Sequence, residues 1–266
     1  MKPITDTAFY CCGVRMQDAA QEKPICGDDY AKLFMCDHGM AVFDRFKALD
    51  LSNSSIIVRH RIMDDMLRQL LYVNHDLNVV TIGAGFDSRP YRLHGGRWFE
   101  LDEPELIAYK DILLPSEQCN NPLHREPIDF DTEDLVDKLL QLPHSGPVVF
   151  VLEGVVIYLC ESDIQNLLGE LDYEFPRHRL MCDLVDRNMV NKYGQTLSQV
   201  VTEMGAPFQS VDHPEAIFLK SGYQAREAIS VVDASVELGI NTVPKYFWRS
   251  FFQPEITGNS VCMWEK

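Results

Sequence analysis

Short apolar runs in this chain end in glycines or carboxylates, the residue types that strands present to a ligand at their carboxyl ends. The first run, Val79–Ile82, is followed by the turn Gly83-Ala84-Gly85. Three later runs end close to an acid, namely Asp102, Asp129 and Glu153. Because the carboxyl ends of parallel strands meet at one edge of a sheet, these positions predict a single binding site there.

The glycine turn by itself leaves the ligand open, because such turns also hold dinucleotides. A dinucleotide site calls for G-x-G-x-x-G, whose third glycine permits close packing of helix on strand. Ser88 stands at that third position, and Asp87 precedes it. A carboxylate beside a pyrophosphate would be repulsive, so an NAD-dependent dehydrogenase is the weaker interpretation. S-adenosylmethionine fits better, since it combines a ribose with a positive sulfonium and an amino-acid end.

Two of the carboxylates match parts of that cofactor. Asp102 lies 19 residues after Gly83, a separation at which an acid commonly hydrogen-bonds the ribose of a nucleotide-like cofactor. The structural alternative for Asp102 is a capping role at the helix that follows Pro104. Glu153 can accept from the cofactor's ammonium, as can a loop carbonyl, and the cofactor's carboxylate requires a cation.

The elements that position these residues alternate between strand and helix patterns, which predicts βαβ units and a mostly parallel sheet. The predicted strands are Val79–Ile82, Trp98–Leu101, Pro127–Phe130, Val148–Leu152, Leu180–Leu184, Gln224–Val232 and Ser260–Trp264. The predicted helices are Glu105–Leu113, Thr132–Gln141, Glu161–Leu171 and an earlier one from Ser54 or Ser55 to about Tyr72. No Pro/Gly/Ser-rich linker interrupts the chain, so we expect one domain over residues 1–266.

Composition narrows the class of partner. The 24 basic and 40 acidic residues give a formal net charge of −16. Nucleic-acid binding relies on clustered Lys and Arg, so we expect no nucleic-acid partner. No apolar run approaches the ~18 residues of a membrane span, and the first residues lack the apolar core of a signal peptide. The eight cysteines show no C-x-x-C pair, which predicts no metal site and reduced, mostly buried thiols. We expect a cytoplasmic protein that acts on a small molecule.

Five stretches, in order and at matching spacing, resemble signatures of the leucine carboxyl methyltransferase family and its bacterial tetracenomycin-type O-methyltransferase branch. They are TDTAFYCCGVRMQDA, VRHRIMDDML, IGAGFDSRPYRL, FELDEPELIAYK and VLEGVVIYL, and the likeness spans about residues 5–171. The resemblance implies an α/β, Rossmann-like methyltransferase with seven strands, the last antiparallel, and S-adenosyl-L-methionine as cofactor. We expect a helical N-terminal cap over residues 1–75 and an insert over residues 186–221 that covers the acceptor.

The resemblance also implies cofactor contacts at Arg59 or Arg61, Gly83, Gly85, Asp102, Asp129 with Phe130, and Glu153. Helix geometry separates the two arginines. Arg59 shares the apolar face with Met63, and Arg61 lies roughly 200° away around the helix, beside Asp65. We therefore expect Arg59 to bind the cofactor's carboxylate, with an ion pair to Asp87 or another core acid as the structural alternative.

The family pattern also bears on other acidic and basic positions. Asp129 is preferred over Asp131 for the adenine because the pattern is an acid followed by an apolar residue, and Asp131 is interpreted as the cap of a helix beginning at Thr132. His60 stands where the family usually has Thr. Arg89 and Arg92 are expected to pair with Asp87 or with acids of the second strand.

The chemical class of the methyl acceptor depends on whether its oxygen ionises without a general base. A carboxylate is already ionised near neutral pH, whereas a phenol or alcohol needs a general base. No residue stands out as that base, which favours a carboxylate or an acidic hydroxyl on a small molecule. A protein C-terminal carboxyl methyltransferase and a non-catalytic S-adenosylmethionine-binding protein are the alternatives.

Overall fold

One seven-stranded sheet organises the chain in the computed structural model, which describes residues 2–240 and 258–266. The strands are β1 (Asn78–Ile82), β2 (Arg97–Asp102), β3 (Leu123–Pro127), β4 (Val148–Leu152), β5 (Arg179–Val185), β6 (Gln224–Ser230) and β7 (Asn259–Glu265). Their order is β3-β2-β1-β4-β5-β7-β6. Neighbours from β3 to β5 are parallel, and β7 is antiparallel to both β5 and β6. The order reverses between β1 and β4, which opens a crevice at their carboxyl ends.

Helices cover both faces of this sheet. They are α1 (Pro3–Ala19), α2 (Ala31–Phe34), α3 (Asp37–Asp44), α4 (Asp50–Val73), α5 (Arg89–Arg92), α6 (Pro104–Leu113), α7 (Leu135–Leu139), α8 (Glu161–Glu174), α9 (Arg187–Tyr193), α10 (Gln195–Glu203), α11 (Pro214–Lys220) and α12 (Val231–Glu237). None of the described helices is long and apolar enough to cross a membrane. All eight cysteines lie in described residues as free thiols, and four of them are buried.

The alternation of side chains along β4 divides the core into two layers. Phe150 faces one layer, where Leu168 of α8 and Phe218 of α11 pack. Val149 faces the other layer, where Leu67 of α4 packs. A third apolar cluster joins α1, α2 and α3 to Phe86, the residue that follows the glycine turn. This third cluster holds the amino-terminal helices over the carboxyl ends of the strands.

The predicted α/β architecture is confirmed, including the antiparallel last strand. The third strand was predicted at Pro127–Phe130, and this placement is wrong: β3 is Leu123–Pro127. Among the described residues this strand pairs with β2 alone, and it lies at the sheet edge with a mixed burial pattern. Its sequence therefore lacks the apolar run that marks a buried strand.

Two predicted helix starts are also wrong, and tertiary contacts explain one of them. The helix expected from Ser54 begins at Asp50, because the buried Asn53 accepts from the Tyr10 hydroxyl and donates to a carbonyl of the preceding loop. The helix expected from Thr132 is only α7, and its cap is Asp134.

The remaining boundary correction falls after β6. The predicted strand Gln224–Val232 ends at Ser230, whose side chain accepts from Asp233 N and caps α12. The two apolar residues after it therefore belong to a helix rather than to the strand.

Candidate functional site

A cavity of about 910 Å³ opens at the carboxyl ends of β1, β2 and β4. Of the seven predicted cofactor residues, six line it: Arg59, Gly83, Gly85, Asp102, Phe130 and Glu153. The side chain of Asp129 is not among its walls. The position is the one at which open α/β sheets bind ligands.

The glycine turn and the acid after β2 form one hydrogen-bonded unit. Gly83 and Gly85 have φ values of +70° and +51°, a region that disfavours other residues. A Cβ on Gly83 would lie 2.7 Å from the Val155 side chain. Gly85 N donates to Asp102 Oδ2 at 2.6 Å. The turn therefore leaves open space along the cavity wall and fixes the carboxylate beside it.

Asp102 is buried, and each of its carboxylate oxygens accepts a hydrogen bond from a backbone N–H. Its Oδ1 accepts from Glu103 N at 2.7 Å, and burial raises the pKa of the carboxyl group. The N-cap residue of α6 is Glu103, so the capping alternative for Asp102 is wrong. Each carboxylate oxygen has two lone pairs, which leaves acceptor capacity for a hydroxyl in the cavity.

The loop after β3 turns its two acids toward Lys2. Lys2 Nζ lies 2.5 Å from Asp129, 2.8 Å from Asp131 and 2.9 Å from Glu103. Phe130 and Asp131 line the cavity, whereas Asp129 is occupied by this ion pair. The helix cap expected at Asp131 is therefore replaced by a contact with the amino-terminal segment.

Glu153 follows β4 directly, and three side chains bind its carboxylate. Arg89 Nη2 lies 2.7 Å from Oε2, His60 Nδ1 lies 3.1 Å from the same oxygen, and Arg59 Nε lies 3.3 Å from Oε1. These neighbours hold the pKa of Glu153 well below its ordinary value, with Arg89 the strongest of them. The carboxylate is therefore ionised at neutral pH at the wall of the cavity.

Arg59 and Arg61 of α4 face as the helix geometry predicts. Arg59 points inward, where its Nη1 lies 2.9 Å from Asp183. Arg61 is 38% exposed and pairs with Asp65 at 2.7 Å. Arg59 also makes ion pairs with core acids, as the structural alternative predicts, but the acids are Asp183 and Glu153 and not Asp87. The predicted directions of the Arg59 and Arg61 side chains are thus confirmed. The contact of Arg59 with the cofactor stays a prediction.

A buried charge network behind Glu153 was only partly expected from the sequence. Arg89 is 1% exposed and contacts Asp87 at 3.0 Å, as predicted, and also Asp64 at 2.6 Å. Arg92 binds Asp64 at 2.6 Å, not an acid of the second strand. His60 had no predicted role and joins the same network. The available signal was the pair His60 and Asp64, four residues apart on the buried face of α4.

One part of the cavity wall is mainly apolar and aromatic. We use the name apolar chamber for the part lined by Ala8, Tyr10, Cys11, Tyr158, Leu197, Val201 and Phe208. Tyr158 was expected in the core; it lines this chamber, with its ring centroid 5.3 Å from that of Phe208. Within residues 2–240 and 258–266, no cluster of His, Cys, Asp and Glu suits a metal ion.

Comparison with known proteins decides the family. Residues 11–172 match the family model described as leucine carboxyl methyltransferase. The chain belongs to this family, and so to the S-adenosylmethionine-dependent methyltransferases. A Frankia alni protein assigned by name to that class is 30% identical over 74% of this chain and 77% of its own length.

Other relatives and solved structures are also similar to this chain. The tetracenomycin polyketide synthesis O-methyltransferase of Streptomyces glaucescens is 26% identical over 68% of this chain and 66% of its own length. The alignment of this chain with a Parafrankia relative covers 41% of the length of that protein. A Thermobifida fusca structure assigned as a methyltransferase superposes with a TM-score of 0.61 at 14% identity, covering 95% of this chain and 94% of that one. A DUF574 family protein of Streptomyces avermitilis gives 0.60 at 14% identity, with 89% and 95% covered. These structures share the fold.

Proposed function

We propose that this family member transfers a methyl group from S-adenosylmethionine to an oxygen of a small molecule, at a carboxylate or an acidic hydroxyl. The observation that carries the proposal is the shared cavity wall formed by the glycine turn, Asp102 and Glu153. When bound, S-adenosylmethionine supplies an electrophilic methyl group on a sulfonium. The protein's part is to bind and orient the two reactants, which can supply most of the catalysis in such a displacement.

The residues present fit this cofactor. Asp102 would accept from the ribose hydroxyls and Glu153 from the ammonium. Arg59 would bind the carboxylate: its Nε and Nη1 contact Glu153 and Asp183, and its Nη2 has no hydrogen-bond partner among the described residues. Phe130 would lie against the adenine. Asp129 takes the adenine role predicted for it only if its ion pair with Lys2 opens.

The apolar chamber indicates the acceptor. Its apolar and aromatic walls suit an acceptor with a sizeable apolar body, and α10 of the predicted insert contributes Leu197 and Val201 to them. Burial raises the pKa of Tyr10, Cys11 and Tyr158 above their ordinary values. None of these three groups is therefore a proton acceptor near neutral pH. An acceptor that ionises by itself agrees with this chemistry.

Cofactor identity is tested by ligand-dependent thermal stability. We expect S-adenosylmethionine or S-adenosylhomocysteine to stabilise the fold, by about 2.7 kcal/mol at roughly 100 times the Kd. NAD and NADP serve as controls and are expected to give no shift. A shift with the nicotinamide cofactors alone would rule out the proposal. Turnover is followed separately as S-adenosylhomocysteine released with small apolar carboxylates and phenols, and tight binding without transfer would favour a binding protein.

The ribose role of Asp102 is tested by Asp102→Asn. Hydrogen bonds to an ionised acceptor are stronger than those to a neutral one, so removing the carboxylate charge should weaken the contact with the ribose. We expect the affinity for S-adenosylhomocysteine, measured by calorimetry, to fall by about tenfold or more. The amide can also accept only one of the two backbone N–H groups that Asp102 now holds. Asp76→Asn, at an exposed side chain, is the matched control. Unchanged affinity combined with a weakened fold would make Asp102 a purely structural residue.

A further inference from the structure

His60 is buried in the wall of the cavity and is surrounded by charged groups from three elements. Its side chain is 1% exposed. Nδ1 lies 3.1 Å from Glu153 Oε2 at the end of β4, and Nε2 lies 2.8 Å from Arg92 Nη2 of α5. Arg89 Nη2 lies 2.9 Å from Nδ1, and Asp64 on the same helix lies 3.8 Å from Nε2.

These contacts favour one tautomer of a neutral imidazole. A guanidinium can only donate, so Nε2 must accept from Arg92 and cannot carry a proton. The proton of a neutral ring is then on Nδ1, where the acceptor within reach is the Glu153 carboxylate. Arg89 Nη2 also lies 2.9 Å from Nδ1, but a neutral ring has one acceptor nitrogen and so can accept from only one of the two arginines. The proton is assigned to Nδ1 because only Nδ1 has a carboxylate within hydrogen-bond distance. Burial and the positive charge of Arg89 lower the pKa of His60, which agrees with a neutral ring.

A neutral ring leaves the buried network with an excess of negative charge. Asp64, Asp87 and Glu153 are three carboxylates, and they face the two guanidiniums of Arg89 and Arg92. Arg59 and Arg15 extend the network, because Arg59 contacts Glu153 at 3.3 Å and Arg92 lies 3.5 Å from Asp28. Each brings a carboxylate of its own, Asp183 and Asp28 respectively, so the excess of one carboxylate remains. Arg68 reaches Asp64 only from the solvent side, at 3.4 Å. An uncompensated buried charge is costly, so the network favours a cation arriving from the cavity.

We propose that His60 is a positioning residue: as a neutral Nδ1–H donor it holds Glu153 at the cavity wall without neutralising it, so that Glu153 can receive the ammonium of the cofactor. This inference rests on the proposed function. It concerns the amino-acid end of the ligand alone, because the acid proposed for the ribose, Asp102, is fixed by its own backbone contacts.

Two amide variants separate the contacts of His60. The amide nitrogen of His60→Asn is as many bonds from Cα as Nδ1, and so retains a donor to Glu153. The amide of His60→Gln stands at the level of Nε2, and so retains only the contact with Arg92. Affinities are measured by calorimetry for S-adenosylhomocysteine and for 5′-methylthioadenosine, which lacks the amino-acid end.

We expect His60→Gln to weaken S-adenosylhomocysteine binding by about tenfold, the scale of one hydrogen bond to a charged group, and to leave 5′-methylthioadenosine binding unchanged. His60→Asn should restore most of the lost affinity. Equal losses for both ligands, or no loss for either, would overturn the positioning role. If the wild-type protein binds neither ligand, it is the proposed function that fails.

A measurement on the wild-type protein keeps the inference testable if a variant does not fold. Nitrogen-15 chemical shifts of the His60 ring distinguish its protonation states directly. We expect a protonated Nδ1 and an unprotonated Nε2 at neutral pH. A ring protonated at Nε2, or at both nitrogens, would overturn the positioning role.

Discussion

Arg59→Ala is expected to weaken S-adenosylhomocysteine binding by about 2–5 kcal/mol, the range for truncating one partner of a desolvated charge pair. The guanidinium lines the cavity and is the cation that we assign to the cofactor's carboxylate. Arg59→Lys should already weaken binding, because an ammonium does not reproduce a bidentate guanidinium–carboxylate contact. Calorimetry on each folded variant gives the affinities.

The same substitution should also lower the free energy of unfolding, by about 3–5 kcal/mol. Arg59 is the cationic partner of Asp183, which among the described residues otherwise accepts only from Gly154 N, at Oδ1. Removing Arg59 therefore leaves a buried carboxylate without a balancing charge. Urea denaturation, in the absence of ligand, separates this loss of stability from the loss of affinity.

Arg61→Ala is the matched control, two residues away on the same helix. Its pair with Asp65 is solvent-exposed, so its removal should cost under ~1 kcal/mol of stability and leave the affinity for S-adenosylhomocysteine unchanged. If Arg61→Ala is the damaging change and Arg59→Ala is silent, the assignment of Arg59 to the cofactor is wrong.

Arg89→Met is expected to be the most destabilising single change in the buried network, with a loss of about 3–5 kcal/mol or more at pH 7. Arg89 bridges Asp64, Asp87 and Glu153, and its removal leaves three carboxylates with too little positive charge. Methionine keeps much of the side-chain length, so the loss reports mainly on charge. Arg97→Met, at a 47% exposed side chain 3.9 Å from Asp76, is the control and should cost under ~0.5 kcal/mol.

The cost of Arg89→Met should shrink as the pH falls. In the native protein the pKa values of Asp64, Asp87 and Glu153 lie below their ordinary values. Groups of this kind contribute stability above their unfolded pKa, about 4, and lose it as the pH falls through the folded pKa. Without Arg89 the three carboxylates protonate more readily, which relieves the buried charge. Denaturation of both proteins at pH 7 and pH 4 measures the difference, and a cost independent of pH would contradict the electrostatic origin.

The sequence determined the parts of this protein that have a local physical signal. The apolar run Val148–Leu152 became β4 with those bounds, because a strand buried on both faces must be apolar throughout. The turn at Gly83 and Gly85 was visible because its backbone conformation favours glycine. The inward direction of Arg59 followed from the period of the helix alone. Each of these inferences depends on residues within a few positions of one another.

Tertiary structure alone decided which charges meet. His60 and Glu153 are 93 residues apart in the chain, and Lys2 and Asp129 are 127 apart. No local pattern predicts such pairs, because the partners lie far apart in the chain and neither residue indicates the other. The edge strand β3 was misplaced for a related reason, since its mixed burial carries no periodic signal. The glycine turn and the strand-end acids can therefore be predicted from the sequence. The buried network that holds Glu153 forms only when the folded sheet brings α4, α5 and the end of β4 together.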